Sequence, residues 1–178
     1  MSPQKVHRQA GMTLTELMIA LAILGTLVGA SAPYLQDMVQ NWRITSQTND
    51  LLADLSAARG QAATQQLMVT VCASSNGTSC TGTWDQGRIV FTDADGDATV
   101  DTGDKILRVS SSISSATTLT VANLSTAGRV QLRPTGMAAG VTGAGATFKF
   151  CDSRTGAFGR TITVAPTGRA ASAASNCP

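Results

Sequence analysis

"AGMTLTELMIALAILGTLVGASAPYL", residues 10–35, is one of the greasiest stretches of the chain, yet it carries an ionised side chain, Glu16, close to its start. No charge follows from Leu17 to Gln36. As a helix, Leu17–Leu35 is roughly 28 Å long, about one hydrocarbon core. The segment ahead of it, Met1–Gly11, is short and polar and holds Lys5, His7 and Arg8. Basic residues before a single span stay cytoplasmic, which sends everything after it to the periplasmic side. A secretory signal peptide has its small-residue cut site after the apolar core. Here the Gly11–Met12 bond comes before the core, so cleavage there leaves the apolar segment in the mature protein.

That order resembles the class III leader of type IV pilins and pseudopilins. The likeness is carried by Gly11, Met12 and Glu16, then Pro33. It implies that a prepilin peptidase cuts after Gly11 and methylates Met12, which stands where phenylalanine is usual. Glu16 and Pro33 then occupy the family's glutamate and proline positions. A plain membrane anchor with an unrelated glutamate has no reason to show this spacing. A lone carboxylate in a membrane helix costs about 2.5–3.5 kcal/mol on insertion scales, so it needs a partner. The amine freed on Met12 supplies one, first within the chain and then from a neighbour in a filament of parallel helices. A subunit at the wrong height would leave a charge unpaired.

The helix is expected to run past the membrane, with a kink where Pro33 removes a backbone donor. Beyond it Ile44, Leu51, Leu55, Ala58 and Ala62 make an apolar stripe on one helical face. Asp37, Arg43, Asp50, Asp54 and Arg59 read as lying mostly off that stripe. From Leu67 short β-prone runs alternate with Gly-, Ser- and Thr-rich turns. The candidate strands are Met68–Ala73, Arg88–Thr92, Ile106–Val109, Thr118–Leu124, Arg129–Arg133, Thr147–Asp152 and Arg160–Val164. They predict an antiparallel head, two small sheets against the helix. The Ala/Ser-rich stretch Ala170–Asn176 reads as a loose tail held by Cys177.

Few aromatics (4%) and few charges (13%) suit such a turn-rich β domain better than a helical bundle. The formal charge of +2 hides a split. Residues 12–104 set three Arg against ten acids, while residues 105–178 set eight Lys or Arg against Asp152 alone. That is either an ordinary dipolar surface or a basic face for an anionic partner. The four cysteines allow three connectivities. Local pairing, Cys72–Cys80 and Cys151–Cys177, is preferred in a periplasmic, disulfide-permitting setting. Zinc is disfavoured, because no Cys-x-x-Cys occurs and His7, the one histidine, lies in the leader.

"CASSNGTSCTGTWDQGRIVFTDADGD", followed by "ILRV", "VQLRPTGMA", "TFKFCDSR" and "GRTITVAPTGRA", narrows the resemblance to the FimT/FimU and GspH group of minor pilins. The order of the motifs makes the likeness specific, and it spans nearly the whole chain. It implies an α+β fold: a long N-terminal helix, half of it transmembrane, packed on an antiparallel, sandwich-like head. Residues 1–11 become the leader, 12–66 the helical spine with its span at 17–35, and 67–178 the periplasmic head.

Two constellations remain. Asp93, Asp95, Asp97, Asp101 and Asp104 fall at spacings of a calcium loop, although Ala98 stands where glycine is wanted and the last ligand is Asp. The competing reading is a metal-free Asp/Gly-rich hairpin turn. In some FimT-like proteins a C-terminal Gly-Arg-x-Arg motif binds DNA. Gly168 and Arg169 match it, but Ala171 replaces the second arginine. Arg133, Arg154 and Arg160 are the other residues that could join Arg169 in a phosphate-binding patch, against the alternative of solvated charges. No catalytic set or phosphate-binding loop is present in the sequence, and no resident cofactor is expected. The resemblance implies a minor pilin that initiates or caps a pilus near its tip, supporting twitching motility and adhesion. The alternatives are a DNA-binding minor pilin for transformation and an H-type pseudopilin of type II secretion. The partners implied are prepilin peptidase, the inner membrane before assembly, and other major and minor pilins.

Overall fold

The apolar run and the stripe behind it form a single helix, α1 (Leu14–Gln65). The computed structural model describes residues 11–125 and 128–178, leaving aside the side chains of Ala32 and Pro33. Most of the leader, and the side chain of Pro33, therefore lie outside the described residues. The chain divides into two compact units, one ending at Val39 and the other spanning Gln40–Pro178.

In the first unit the helix shows its apolar side chains on every side: Leu17, Met18, Leu21, Leu24, Leu27 and Val28 are all more than half exposed. A helix apolar all round has nothing in water to pack against. This one is long and apolar enough to cross a membrane.

In the second unit Ile44, Leu51, Leu55, Ala58 and Ala62 are buried. Thr48 joins them because its hydroxyl donates to the Ile44 carbonyl one turn back, which satisfies it inside the helix. The helix stops where Gln66 takes a left-handed conformation (φ 56°).

Among the described residues nine strands follow: β1 (Met68–Ala73), β2 (Arg88–Asp93), β3 (Ile106–Ser110), β4 (Thr118–Ala122), β5 (Arg129–Leu132), β6 (Ala138–Ala139), β7 (Ala146–Cys151), β8 (Gly156–Val164) and β9 (Ala170–Cys177). One sheet has the order β3-β2-β1-β5-β6 and the other β4-β7-β8-β9. All their ladders are antiparallel. Val69, Val71, Val90, Val130 and Leu132 from the first sheet share the main core with α1 and with Phe148, Phe150, Ile162 and Val164 of the second. On the opposite face of the first sheet Cys72, Ile89 and Phe91 form a separate cluster. With both faces covered, β1 and β2 are buried along almost their whole length.

Two expectations fail. Ala170–Asn176 is not a loose tail but most of β9, paired with β8 from Val164↔Ala170 to Gly156↔Cys177. Its side chains are mostly exposed, so the backbone ladder and the cysteine at its end hold it, and neither shows in a run of Ala and Ser. Asp54 does not sit off the stripe. It is fully buried between helix and sheet because two arginines of the head come to meet it.

Candidate functional site

The start of α1 is built by Thr13 and Glu16. The Thr13 N–H donates to Glu16 Oε2 at 2.9 Å, and the Glu16 N–H donates to Thr13 Oγ1 at 3.3 Å. This is a reciprocal capping box, and the Thr13 hydroxyl adds a further bond to Oε2 at 2.9 Å. It fixes the carboxylate at the positive end of the helix dipole. Met12 precedes Thr13 directly, so the nitrogen that cleavage after Gly11 would free is one residue from the nitrogen Glu16 already binds. Thr13 is absent from the leader motif above; its own signal is the Thr-x-x-Glu spacing.

Asp54 fastens α1 to the first sheet. Arg88 Nε donates to its Oδ2 at 2.5 Å, and the Ser110 hydroxyl donates to the same oxygen at 2.8 Å. Arg108 Nε lies 2.7 Å from Oδ1. The Arg108 side chain is about half exposed, so most of the desolvation falls on Asp54 and Arg88.

The acidic loop between β2 and β3 is divided. Ligand oxygens of Asp93, Asp95 and Asp97 lie within 4.8 Å of one another, and Asp101 and Asp104 are not part of that group. Asp93 is buried and its carboxylate is engaged by protein donors: the Thr70 hydroxyl, Gln131 Nε2 and the Ala98 N–H. Gln131 also donates to the Gly96 carbonyl, and Arg129 donates to the carbonyls of Asp97 and Ala98. Ala98 adopts φ 61°, the conformation for which a calcium loop would favour glycine. Asp95 and Asp97 each accept a backbone N–H two residues on, as in Asx turns. Loss of water around its carboxyl, then the charges of Asp95, Asp104 and Asp97, hold Asp101 above the usual carboxylate range. Three close carboxylates could offer oxygens to a hard cation, but the most buried already has a full set of donors.

The four arginines do not converge. Arg169 lines a cleft of about 470 Å³ with Arg59, Pro134 and Gly136, at the end of the head where α1 finishes, and Arg133 is next to that cleft in sequence. Arg160 lines a different cleft with Asn41, Ile44 and Thr45, near the beginning of the head's helix. Arg154 is at this second end too, donating to Asn41 Oδ1 at 2.8 Å and stacked 4.2 Å over the Phe158 ring. Its bonds to Asp152 hold that carboxyl well below the ordinary value. Residues 41 and 59 are roughly 27 Å apart along a helix, so the set is two pairs rather than one patch.

Cys72 is bonded to Cys80 (2.02 Å) and Cys151 to Cys177 (2.06 Å), which ties the loop after β1 and the end of β9 into the head. Trp84 meets Phe148 edge to face at 4.8 Å and donates to the Gly128 carbonyl.

Comparison with known proteins places this architecture. The crystal structure of the type IV minor pilin FimU from Pseudomonas aeruginosa is similar at a TM-score of 0.52 and 19% identity, over 72% of this chain and 86% of that one. The minor pseudopilin EpsH from the type 2 secretion system of Vibrio cholerae is similar at 0.53 and 7% identity, over 74% and 97%. These likenesses establish the pilin-type fold. No curated protein matches the chain. A family model for the prokaryotic N-terminal methylation motif matches residues 6–32. A second, for the type II transport protein GspH, matches residues 47–168, well over half of the chain. The chain belongs to the GspH family of pilins and pseudopilins.

Proposed function

We propose that this chain is a minor pilin, held in the inner membrane by α1 with its head in the periplasm, and drawn into a type IV pilus to prime or cap assembly near the tip. Prepilin peptidase and other pilins are its partners, and its role is structural rather than enzymatic. The observation that carries this reading is the Thr13–Glu16 box. It keeps the carboxylate beside the chain position where cleavage creates an ammonium. In the monomer the acid caps its own helix. In a filament the same acid is close enough to the terminus to exchange that cap for a neighbour's amine.

The test is Glu16→Ala in the native host, with mass spectrometry for the cut and the methyl group and shearing for filament content. Processing persists and recovery in sheared fibres is lost. Normal incorporation of the variant would remove the role given to Glu16.

The GspH family match supports a second reading, a minor pseudopilin of type II secretion. Deletion separates them: loss of pili and twitching marks the first, loss of protein secretion the second. The transformation reading has least support, because the arginines it calls on lie at opposite ends of the head.

A further inference from the structure

The unit Gln40–Pro178 holds six aromatic residues, and Trp84, Phe91, Phe148 and Phe150 are buried. Trp42, at 70% exposure, and Phe158, at 42%, are not. Both exposed rings lie at one end of the head, around residues 41–45 of α1. Trp42 is two residues before the buried Ile44, so it points to the opposite side of the helix from the core. Phe158 flanks the same level from the head side, lining a cleft of about 360 Å³ with Asn41, Ile44, Thr45 and Arg160. Arg43 and Arg160 have no acidic partner among the described residues, whereas Asp37 and Asp152 are both engaged. The result is a collar of aromatic rings and uncompensated guanidinium groups around one level of the helix.

The chain fixes where that level falls. Trp42 follows Leu35, the last residue of the apolar run, by seven residues. They are about 10 Å apart as a helix, and no more than about 25 Å even if fully extended. That puts Trp42 within reach of the headgroup layer, where Trp is favoured and Arg meets anionic phosphate. We propose that the collar of Trp42, Arg43, Phe158 and Arg160 is a lipid-docking surface. It seats the head on the periplasmic leaflet of an anionic bilayer before assembly, with Arg160 and its cleft taking a phospholipid headgroup. The inference rests on the membrane-anchored reading above. It adds a ligand class, anionic phospholipid, to a face that assembly must then strip from the membrane.

The experiment uses the full-length chain in vesicles of phosphatidylcholine, with or without phosphatidylglycerol. Flotation first shows whether the chain is inserted. The difference between wild-type and Trp42→Phe emission then isolates Trp42 from the buried Trp84. Trp42 is quenched by interfacially brominated lipid and shielded from aqueous iodide, more strongly in anionic vesicles. Arg160→Gln lowers the ratio of docked to undocked head by about fivefold there, and much less in neutral vesicles. A chain that does not float sinks the anchored reading and this inference together. A chain that floats with Trp42 open to iodide sinks the inference alone. Shielding that rises with protein-to-lipid ratio and ignores lipid charge assigns the collar to a neighbouring copy and overturns the lipid assignment.

Discussion

Arg88 Nε lies 2.5 Å from Asp54 Oδ2, with the two side chains at 5% and 0% exposure. This pair joins the long helix to the second strand of the first sheet, and Arg108 and Ser110 of the third strand reach the same carboxylate. Such a bond is directional where a hydrophobic stripe is not, so it fixes the helix in rotation and height against the head. Breaking it from one side strands a buried charge. Asp54→Ala is expected to destabilise the head by about 3–5 kcal/mol. The near-UV circular dichroism melt should fall by roughly 10 °C or more. The exposed Asp50→Ala should change stability by no more than about 0.5 kcal/mol. Replacing both buried partners, as in Asp54→Leu with Arg88→Met, should recover most of the loss.

The acidic loop gives a prediction about metal. Asp93 is saturated by Thr70, Gln131 and Ala98, and Arg129 covers the carbonyls a cation would seek. Millimolar calcium should therefore leave the melting temperature of the wild type within about 1 °C. Arg129→Ala frees those carbonyls. It should lower the melting temperature and make it recover in part as calcium is added. A wild-type shift of several degrees would mean that the loop is a cation site despite its brace, since a ligand at a hundred times its Kd adds about 2.7 kcal/mol.

How much of this could be read beforehand varies by element. Ile44, Leu51, Leu55, Ala58 and Ala62 have a period that only a helix uses, and they are buried as that period requires. Strands β1 and β7 carry Val, Phe and Thr, whose preference for extended backbone shows locally. Strand β9 offered nothing of the kind: it is a strand because β8 is beside it, a non-local cause. Asp54 was misjudged for a related reason. A carboxylate next to an apolar stripe is normally solvated, and its burial depends on Arg88 and Arg108, which are distant in sequence. The divided arginines follow from strand direction. Strand β8 runs from one end of the head's helix to the other, so Arg154, just before it, and Arg160, within it, lie at one end and Arg169, after it, lies at the other.

Asp152 predicts a pH dependence. Hydrogen bonds from the Arg154 side chain hold its carboxyl below the ordinary value of 3.8. The folded state thus binds its proton less readily than the unfolded chain. The stabilisation is complete above the unfolded value, near pH 4, and is lost as pH falls through the lower, folded value. Stability should be flat in this respect between pH 5 and 7, by the same reasoning at about one unit above that value. Acid titration of wild type against Asp152→Asn should show two curves separated at neutral pH that converge once the pH has fallen below the lowered, folded value. A constant gap across the whole range would mean that the carboxylate's charge contributes nothing.

Gly168 and Gly143 offer a paired test of how the head's far end is closed. Both have left-handed backbone, with φ 74° and 58°. A Cβ on Gly143 would meet nothing within 4 Å, whereas on Gly168 it would lie 1.9 Å from the Gly136 carbonyl oxygen. The turn after β8 is therefore pressed onto the turn between β5 and β6, whose Gly136 carbonyl also accepts from Arg59 Nε on α1. Gly143→Ala should incur only the conformational cost, about 1 kcal/mol. Gly168→Ala adds a backbone collision that neither turn can relieve alone, and should cost on the order of 3 kcal/mol or more. The loss should be accompanied by faster amide exchange at Ala138, whose N–H donates to the Pro166 carbonyl across the same contact. Equal losses from the two substitutions, with exchange at Ala138 unchanged, would show that the turns separate freely and that the backbone angle alone requires glycine.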